Sequence, residues 1–373
     1  IRSGEEQMPD MVRAAVQTGT RQIELREFPR PSTGADDGLL RVEACGICGS
    51  DVEQYKGALR REDAPPSIPG HEVLGVIEEV GERAAARWGV QPGDRVAVEI
   101  IIPCHYCERC MAGQYMSCRN RRGGYSGSTP IDREPALWGG YAEYVYLHPD
   151  AVLHPVRKDL PAEVAVMFNP LGAGVRWATD LGATRFGDTV LVLGPGQRGI
   201  SAVIAAKAAG AETVIVTGLS RDAHKLELAR EFGADHTINV DKENTVERVR
   251  ELTDGVGANV VLELTPIAAQ PVRDAFDAVA FGGRVVLAGL KGGRPLEVAT
   301  DRLISKGATV VGAFGVDSKA YAQAIRIIES GRFPLERLHT HTFGLGDAAL
   351  AIDTLAGEVP GESAVHVSIS PEK

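Results

Sequence analysis

From Asp188 to Gly218 the chain reads DTVLVLGPGQRGISAVIAAKAAGAETVIVTG, two short apolar runs flanking a longer alanine-rich stretch. Short β-branched runs bounded by glycine predict buried strands, and the stretch between them predicts a helix. The alternation continues through HTIN, a helical stretch near 244–253, ANVVLEL, a further helix, GRVVLAGL and ATVVGAFG. Strands separated by helices of this length predict an α/β fold with a doubly wound parallel sheet over about 170–312. Residues 73–80 differ, because they alternate as a single strand following His71 and Glu72. The flanking pieces, 8–169 and 313–373, are expected to form one second domain; Ile1–Gln7 stands outside this reading. There is no internal repeat or low-complexity linker.

The length of 373 residues allows two domains with a core each, and 44% apolar with 24% charged residues describes a globular chain. A net charge of −10 argues against a nucleic-acid or anionic-membrane partner, since both favour basic surfaces. No apolar run reaches the length of a membrane span and no signal-like segment opens the chain, so a cytoplasmic protein is expected. Six cysteines in such a chain point to metal before disulfides.

Four of them, Cys104, Cys107, Cys110 and Cys118, are spaced C-x2-C-x2-C-x7-C in a lobe at about 100–120. Four thiolates fill zinc's tetrahedral shell and leave no position for water or substrate, so this site is expected to be structural. Chemistry needs an open site. Two stretches carry suitable ligands: ACGICGSDVEQY, with Cys48, Ser50 and Asp51, and IPGHEVLGVIEEVG, with His71 and Glu72. Each piece alone has a plain structural reading, with Cys45 and Cys48 as small buried hydrophobes and His71–Glu72 as polar surface.

Gly194, Gly196 and Gly199 form G-x-G-x-x-G between a predicted strand and helix, with Gln197 and Arg198 inside the motif. In that setting the glycines let the backbone approach a dinucleotide pyrophosphate at the helix N-terminus. An acidic residue at the end of the second strand would bond the adenosine ribose and repel a 2′-phosphate, but Gly218 stands there. Ser220, Arg221 and Lys225 follow, and Arg221 and Lys225 could meet a 2′-phosphate, whereas Asp222 could serve the ribose. The balance leans to NADP over NAD.

Taken in order, GICGSD, GHE, PGDRV at 92–96, the four-cysteine lobe, GGYAEY at 139–144 and the glycine fingerprint resemble the zinc-dependent medium-chain dehydrogenase/reductase family, the alcohol and polyol dehydrogenases. The resemblance covers nearly the whole chain from Met11. It implies a Rossmann domain plus a GroES-like β-barrel catalytic domain, with a cleft between them for zinc and nicotinamide. Two zinc ions per subunit are implied, one held by Cys48, His71 and Glu72 and one by the four clustered cysteines. Ser50 would carry the alcohol proton outward, and Asp51 would orient the His71 ring. A small-molecule alcohol or carbonyl substrate and a homodimer or homotetramer are also implied, the latter supported by the apolar GRVVLAGLKGGRPLEV segment. Three positions depart from the pattern: Glu53 replaces a frequent relay histidine, Asn169 a frequent zinc-flanking ligand, and Arg198 a small residue behind the nicotinamide. Asn169 in place of a carboxylate, and Arg198 if its guanidinium points inward, predict a less negative site and a polar or anionic substrate; turned outward, Arg198 would only touch the cofactor phosphates. Reduction of an activated double bond, or a non-catalytic nucleotide-binding role, would share the fold; the four-cysteine lobe and GHE count against the first, and Cys48, His71 and Ser50 against the second.

Overall fold

The computed structural model describes residues 10–373, so Ile1–Gln7 and the expected domain start at Met8 lie outside the described residues. The chain divides into two compact units, one running to Val166 and resuming at Thr340–Lys373, the other Met167–His339.

In the first unit, β1 (Met11–Gly19) and β2 (Gln22–Pro29) form an antiparallel pair. β3 (Gly38–Gly46) pairs antiparallel with β4 (Glu72–Val80), and β4 with β5 (Arg95–Val98). β6 (Tyr144–Leu147) lies on β3, and β7 (Leu153–Pro155) on β5. The inward positions of these strands, among them Val42, Cys45, Val73, Ile77, Val96 and Val145, make one buried cluster. The start of β4 is buried and its end is not, so the strand carries His71 and Glu72 from the core side.

The second unit holds six parallel strands: β8 (Thr189–Leu193), β9 (Thr213–Gly218), β10 (His236–Asn239), β11 (Ala258–Glu263), β12 (Val279–Leu287) and β13 (Thr309–Gly312). Their order is β10-β9-β8-β11-β12-β13, so the chain builds the sheet outward first on one side of β8 and then on the other, with the switch between β8 and β11. β8 and β9 are buried almost throughout, as parallel strands covered on both faces must be. This is the doubly wound sheet, and ligands bind such sheets at the carboxyl ends of the strands, at the switch point. Back in the first unit, β14 (His339–Phe343) and β15 (His366–Ile369) complete a seven-stranded sheet in the order β14-β15-β3-β4-β5-β7, with β6 beside β3.

The division differs from the expected boundaries at both ends of the second unit. Residues 313–339, expected with the catalytic pieces, cluster with Met167–His339. The reason is helix Ser318–Glu329, which buries Ala320, Tyr321, Ala324, Ile325 and Ile328 on one side. Helix Phe168–Val175 is fully buried beside it, and a Cβ on Gly172 would stand 2.9 Å from Val316 and 3.3 Å from Tyr321. No helix among the described residues is long and apolar enough to cross a membrane.

Candidate active site and metal centres

Two groups of metal-ligating side chains occur among the described residues: Cys48 with His71 and Glu72, and the four cysteines 104, 107, 110 and 118. Within each group, one ligand atom per residue lies within 4.8 Å of every other.

The first group joins two short pieces of chain. Cys48 caps helix Gly49–Tyr55, and its backbone N–H donates to Asp51 Oδ2 at 2.8 Å. The other oxygen, Asp51 Oδ1, lies 3.2 Å from His71 Nδ1. With Nδ1 so engaged, Nε2 is the ring nitrogen left for a metal. Gly70 sets the approach of His71 with a φ of 89°, and a Cβ there would stand 2.4 Å from the Tyr141 ring. A Cβ on Gly46 would stand 2.3 Å from Glu72 Oε2, so glycine at 46 makes room for that carboxylate. Cys48, Asp51, His71 and Glu72 are all at most 6% exposed.

Burial works against a charge on His71, yet the charge and hydrogen bond of Asp51, joined by those of Cys48, lift its pKa well above the ordinary value. A thiol and two carboxylates gathered this closely out of water call for a compensating cation. Sulfur, imidazole nitrogen and carboxylate are zinc's usual donors, and three protein ligands leave a position open. The residues fit the metal. Ser50 Oγ donates to Cys48 Sγ at 3.2 Å, and the Ser50 N–H reaches the same sulfur at 3.4 Å. Ser50 and Glu53, both on the capped helix, are partly exposed. Cys45 is fully buried, and its sulfur would stand 2.6 Å from a Cβ on Gly140, which fits a packing role.

The four clustered cysteines lie on a segment with only helix Glu108–Met111 and the turn Tyr115–Ser117 for regular structure. Sulfur separations are 3.5 Å for Cys107–Cys110, 3.9 Å for Cys107–Cys118 and 4.0 Å for Cys104–Cys110. A tetrahedron with Zn–S bonds of ~2.3 Å has edges of about 3.8 Å, so the sulfurs stand at the spacing zinc requires. Backbone N–H groups of Cys110 and Arg119 lower the Cys107 thiol to about 6, while burial and the neighbouring thiols push Cys110 up to about 12. Without a cation, one thiol ionises at the expense of the next.

In the second unit the loop after β8 has the geometry that a pyrophosphate needs. Gly194 holds φ 111°, and a Cβ on Gly199 would stand 2.0 Å from the Gly194 carbonyl oxygen. A Cβ on Gly196 would meet nothing within 4 Å, which leaves open the face a ligand would approach. Gln197 is buried, its carbonyl accepting from Ser201 Oγ at 2.8 Å. Arg198 turns inward: Nη2 donates to Asn169 Oδ1 at 3.3 Å, and the guanidinium lies 5.4 Å from the centre of the Trp177 ring. Asn169 is fully buried, and its Nδ2 donates to Tyr321 Oη at 2.9 Å.

At the end of β9, a Cβ on Gly218 would stand 2.8 Å from Pro195, so packing excludes an acidic side chain there without a shift. The Ser220 N–H donates to Asp241 Oδ2 at 2.7 Å, and Ser220 Oγ bonds Asn239. Lys225 Nζ bonds Asp222 Oδ1 at 3.2 Å, and Asp222 Oδ2 accepts from the Leu219 N–H at 3.2 Å. Arg221 is exposed.

Several residues at these sites escape sequence reasoning. Trp177 and Tyr321 are aromatic positions with no distinguishing pattern, and Tyr141 stands in the GGYAEY motif with nothing to mark its ring as a wall beside Gly70. Buried Glu263, at the end of β11, lies 3.0 Å from Lys291 Nζ and bonds Thr265; an acid inside the apolar ANVVLEL run was its only signal.

Two family models match the chain, "Alcohol dehydrogenase GroES-like domain" over residues 34–158 and "Zinc-binding dehydrogenase" over residues 199–330. A Mycobacterium tuberculosis (strain H37Rv) protein named "Probable alcohol dehydrogenase adh" is 44% identical over 97% of this chain and 99% of its own. The erythritol/L-threitol dehydrogenase of Mycolicibacterium smegmatis is 34% identical over 98% and 99% of the two chains. A Sinorhizobium meliloti 1021 protein solved bound to NADP superposes with a TM-score of 0.84 at 28% identity, covering 97% of this chain and all of that one.

Metal analysis of the purified protein should give two zinc ions per chain. Cys107→Ser should retain one and lose thermal stability, because structural zinc contributes folding free energy. Cys48→Ala should also retain one, with a melting temperature near that of the parent. One zinc in the parent protein, or equal destabilisation by both substitutions, would contradict the assignment of roles.

Proposed function

The chain belongs to the zinc-dependent medium-chain dehydrogenase/reductase family, and from that premise we propose a zinc-dependent, NADP-preferring dehydrogenase of polar alcohols or polyols. An alcohol or polyol dehydrogenase is what the family and the named relatives support. The observation that carries the metal-dependent reading is the buried Cys48–His71–Glu72 cluster with Asp51 behind it.

When bound, zinc supplies a Lewis acid for the substrate oxygen and the nicotinamide supplies the hydride acceptor or donor. Cys48, His71 and Glu72 would hold the metal. Asp51 fixes the imidazole through Nδ1, so that Nε2 keeps its lone pair for coordination. Ser50 Oγ takes the alcohol proton and passes it towards solvent, as suits a hydroxyl that is partly exposed and next to the Cys48 sulfur. The loop Gly194–Gly199 and the N-terminus of its helix hold the pyrophosphate. Carbonyl reduction uses the same groups in reverse. In a panel of alcohols followed by nicotinamide absorbance, the zinc-loaded protein should turn over polyols such as erythritol, and chelated protein should not. Equal rates with and without metal would remove zinc from the mechanism.

The polar-substrate element rests on Arg198 and Asn169. Both ends of the Asn169 amide are engaged within its own unit, and an amide is a poor zinc ligand beside thiolate and imidazole. Its role here is to hold the Arg198 guanidinium inward, where it would favour a polar or anionic group. Arg198→Ala should reduce activity on an anionic alcohol far more than on its neutral counterpart. Equal losses on both, with only the apparent cofactor affinity altered, would reassign Arg198 to the cofactor phosphates.

The NADP preference rests on Gly218 and Arg221, since Lys225 is engaged by Asp222. The NADP complex of the Sinorhizobium relative supports the same choice. Arg221→Ala should weaken NADP binding by roughly 1.5–3 kcal/mol and NAD binding much less, as expected for one charged hydrogen bond. Similar losses for the two would exclude a 2′-phosphate contact.

Self-association is the last element of the proposal. β13 is an edge strand, and Val310 (40% exposed), Phe314 (65%) and Ile304 (76%) leave apolar surface around it. An open apolar edge of this kind suits strand pairing with a second copy. Light scattering at micromolar concentration should give the mass of a dimer or tetramer; a monomer would refute the assembly.

A further inference from the structure

A cavity of about 410 Å³ lies in the second unit between helices Phe168–Val175, Gln197–Ala208 and Ser318–Glu329. Its volume falls in the range of small-molecule sites. The walls are apolar, with Val175, Ala205, Ile327 and Phe333 among them, and the rim carries Arg326 and Arg332. The cavity opens at the C-terminal end of helix Gln197–Ala208, while the Gly194–Gly199 loop stands at the other end. Twelve helical residues separate the two by about 18 Å, so this is not the nucleotide site.

Three features mark the cavity as more than a packing gap. Arg326 and Arg332 are exposed, and among the described residues neither guanidinium has a carboxylate or hydrogen-bond partner. Arg332 rests 5.8 Å from the centre of the Phe333 ring, which places a cation directly against the apolar wall. Gln323 Oε1 is buried at the lining with no partner among the described residues, and whichever way the amide is turned, one of its polar atoms is unmet there. Thr179 also lines the cavity and comes from a π-helical turn, Arg176–Leu181, a local distortion that frequently accompanies ligand sites.

A plainer role for the two arginines would be to offset the helix C-termini that end here. The carbonyls in question are already met by backbone, Ala205 O by the Ala209 N–H and Arg326 O by the Ser330 N–H. Two guanidiniums over an apolar floor match a ligand with one anionic end and one hydrocarbon end.

We propose that this cavity is a second ligand site, taking a small amphipathic carboxylate with its tail on the Val175–Ala205–Ile327 floor and its oxygens between Arg326 and Arg332. The Gln323 amide donates to the same carboxylate. The cavity is built from residues of the second unit alone, whereas Cys48, His71 and Glu72 belong to the first, and the proposal does not depend on the reading of the reaction.

The probe is octanoate, titrated calorimetrically into zinc-loaded protein saturated with NADP, with octylamine as the control that keeps the tail and reverses the charge. Octanoate should bind and octylamine should not. The double substitution Arg326→Gln/Arg332→Gln should weaken octanoate at least about tenfold, as loss of charged hydrogen bonds predicts. Amide hydrogen exchange should slow over residues 318–333 when octanoate is bound. Ala208→Trp, which fills the cavity from its exposed edge, should produce the same loss and covers the case of a double variant that does not fold. Undiminished binding in either variant, equal binding of octylamine, or protection confined to segments outside the cavity would overturn the site.

Discussion

Asp51 is the tie on which the Cys48–His71–Glu72 cluster depends. One of its oxygens holds the Cys48 backbone and the other the His71 ring, so a single carboxylate fixes two candidate ligands that stand 23 residues apart in the chain. Neither piece could hold its geometry alone: the helix that starts at Gly49 is seven residues long, and His71 follows a glycine in left-handed backbone. Burying Asp51 raises the cost of losing either partner, because an unpaired charge in that setting is far more expensive than one at the surface. The same burial gathers negative charge around Cys48 and Glu72, a setting that a divalent ion would suit. Glycines at 46 and 70 complete the arrangement by removing side chains that would occupy the space of Glu72 and Tyr141.

The second unit solves a different problem with a similar economy of side chains. Gly199 brings the helix against the Gly194 carbonyl, Gly196 leaves a bare face, and the helix dipole does the rest. Behind the loop, Asn169 links Tyr321 to Arg198 through both ends of one amide. That link helps to explain why helix Ser318–Glu329 belongs to this unit: its buried Tyr321 accepts from the Asn169 amide. A residue that would otherwise be assigned to the metal is thereby turned into a support for a guanidinium.

The first unit also carries a second cluster, one suited to giving shape. The four cysteines of the lobe lie on a stretch with one short helix and one turn, and their sulfur spacing is that of a closed tetrahedral site, which would tie that stretch down with zinc bound. The contrast with Cys48, His71 and Glu72 lies in ligand number: four donors complete the shell, whereas three leave a position for chemistry.

Much of this architecture is legible in the order of residues alone. The alternation of strands and helices specifies the parallel sheet, because strands covered on both faces read as short apolar runs. Local spacing specifies the four-cysteine lobe and the glycine loop, since each is built within one short stretch of chain. What the sequence leaves open depends on distance in space. The assignment of residues 313–339 to the nucleotide-binding unit follows from Tyr321 and its neighbours packing on helix Phe168–Val175, some 150 positions away, and no local pattern encodes that contact. The inward turn of Arg198 depends on Asn169 and Trp177, and the glycine at 218 on Pro195 lying across it. The sequence by itself determined which residues are able to bind metal and phosphate; tertiary structure alone decided which way Arg198 and Asn169 face, because side-chain direction is set by packing between segments that only the folded chain brings together.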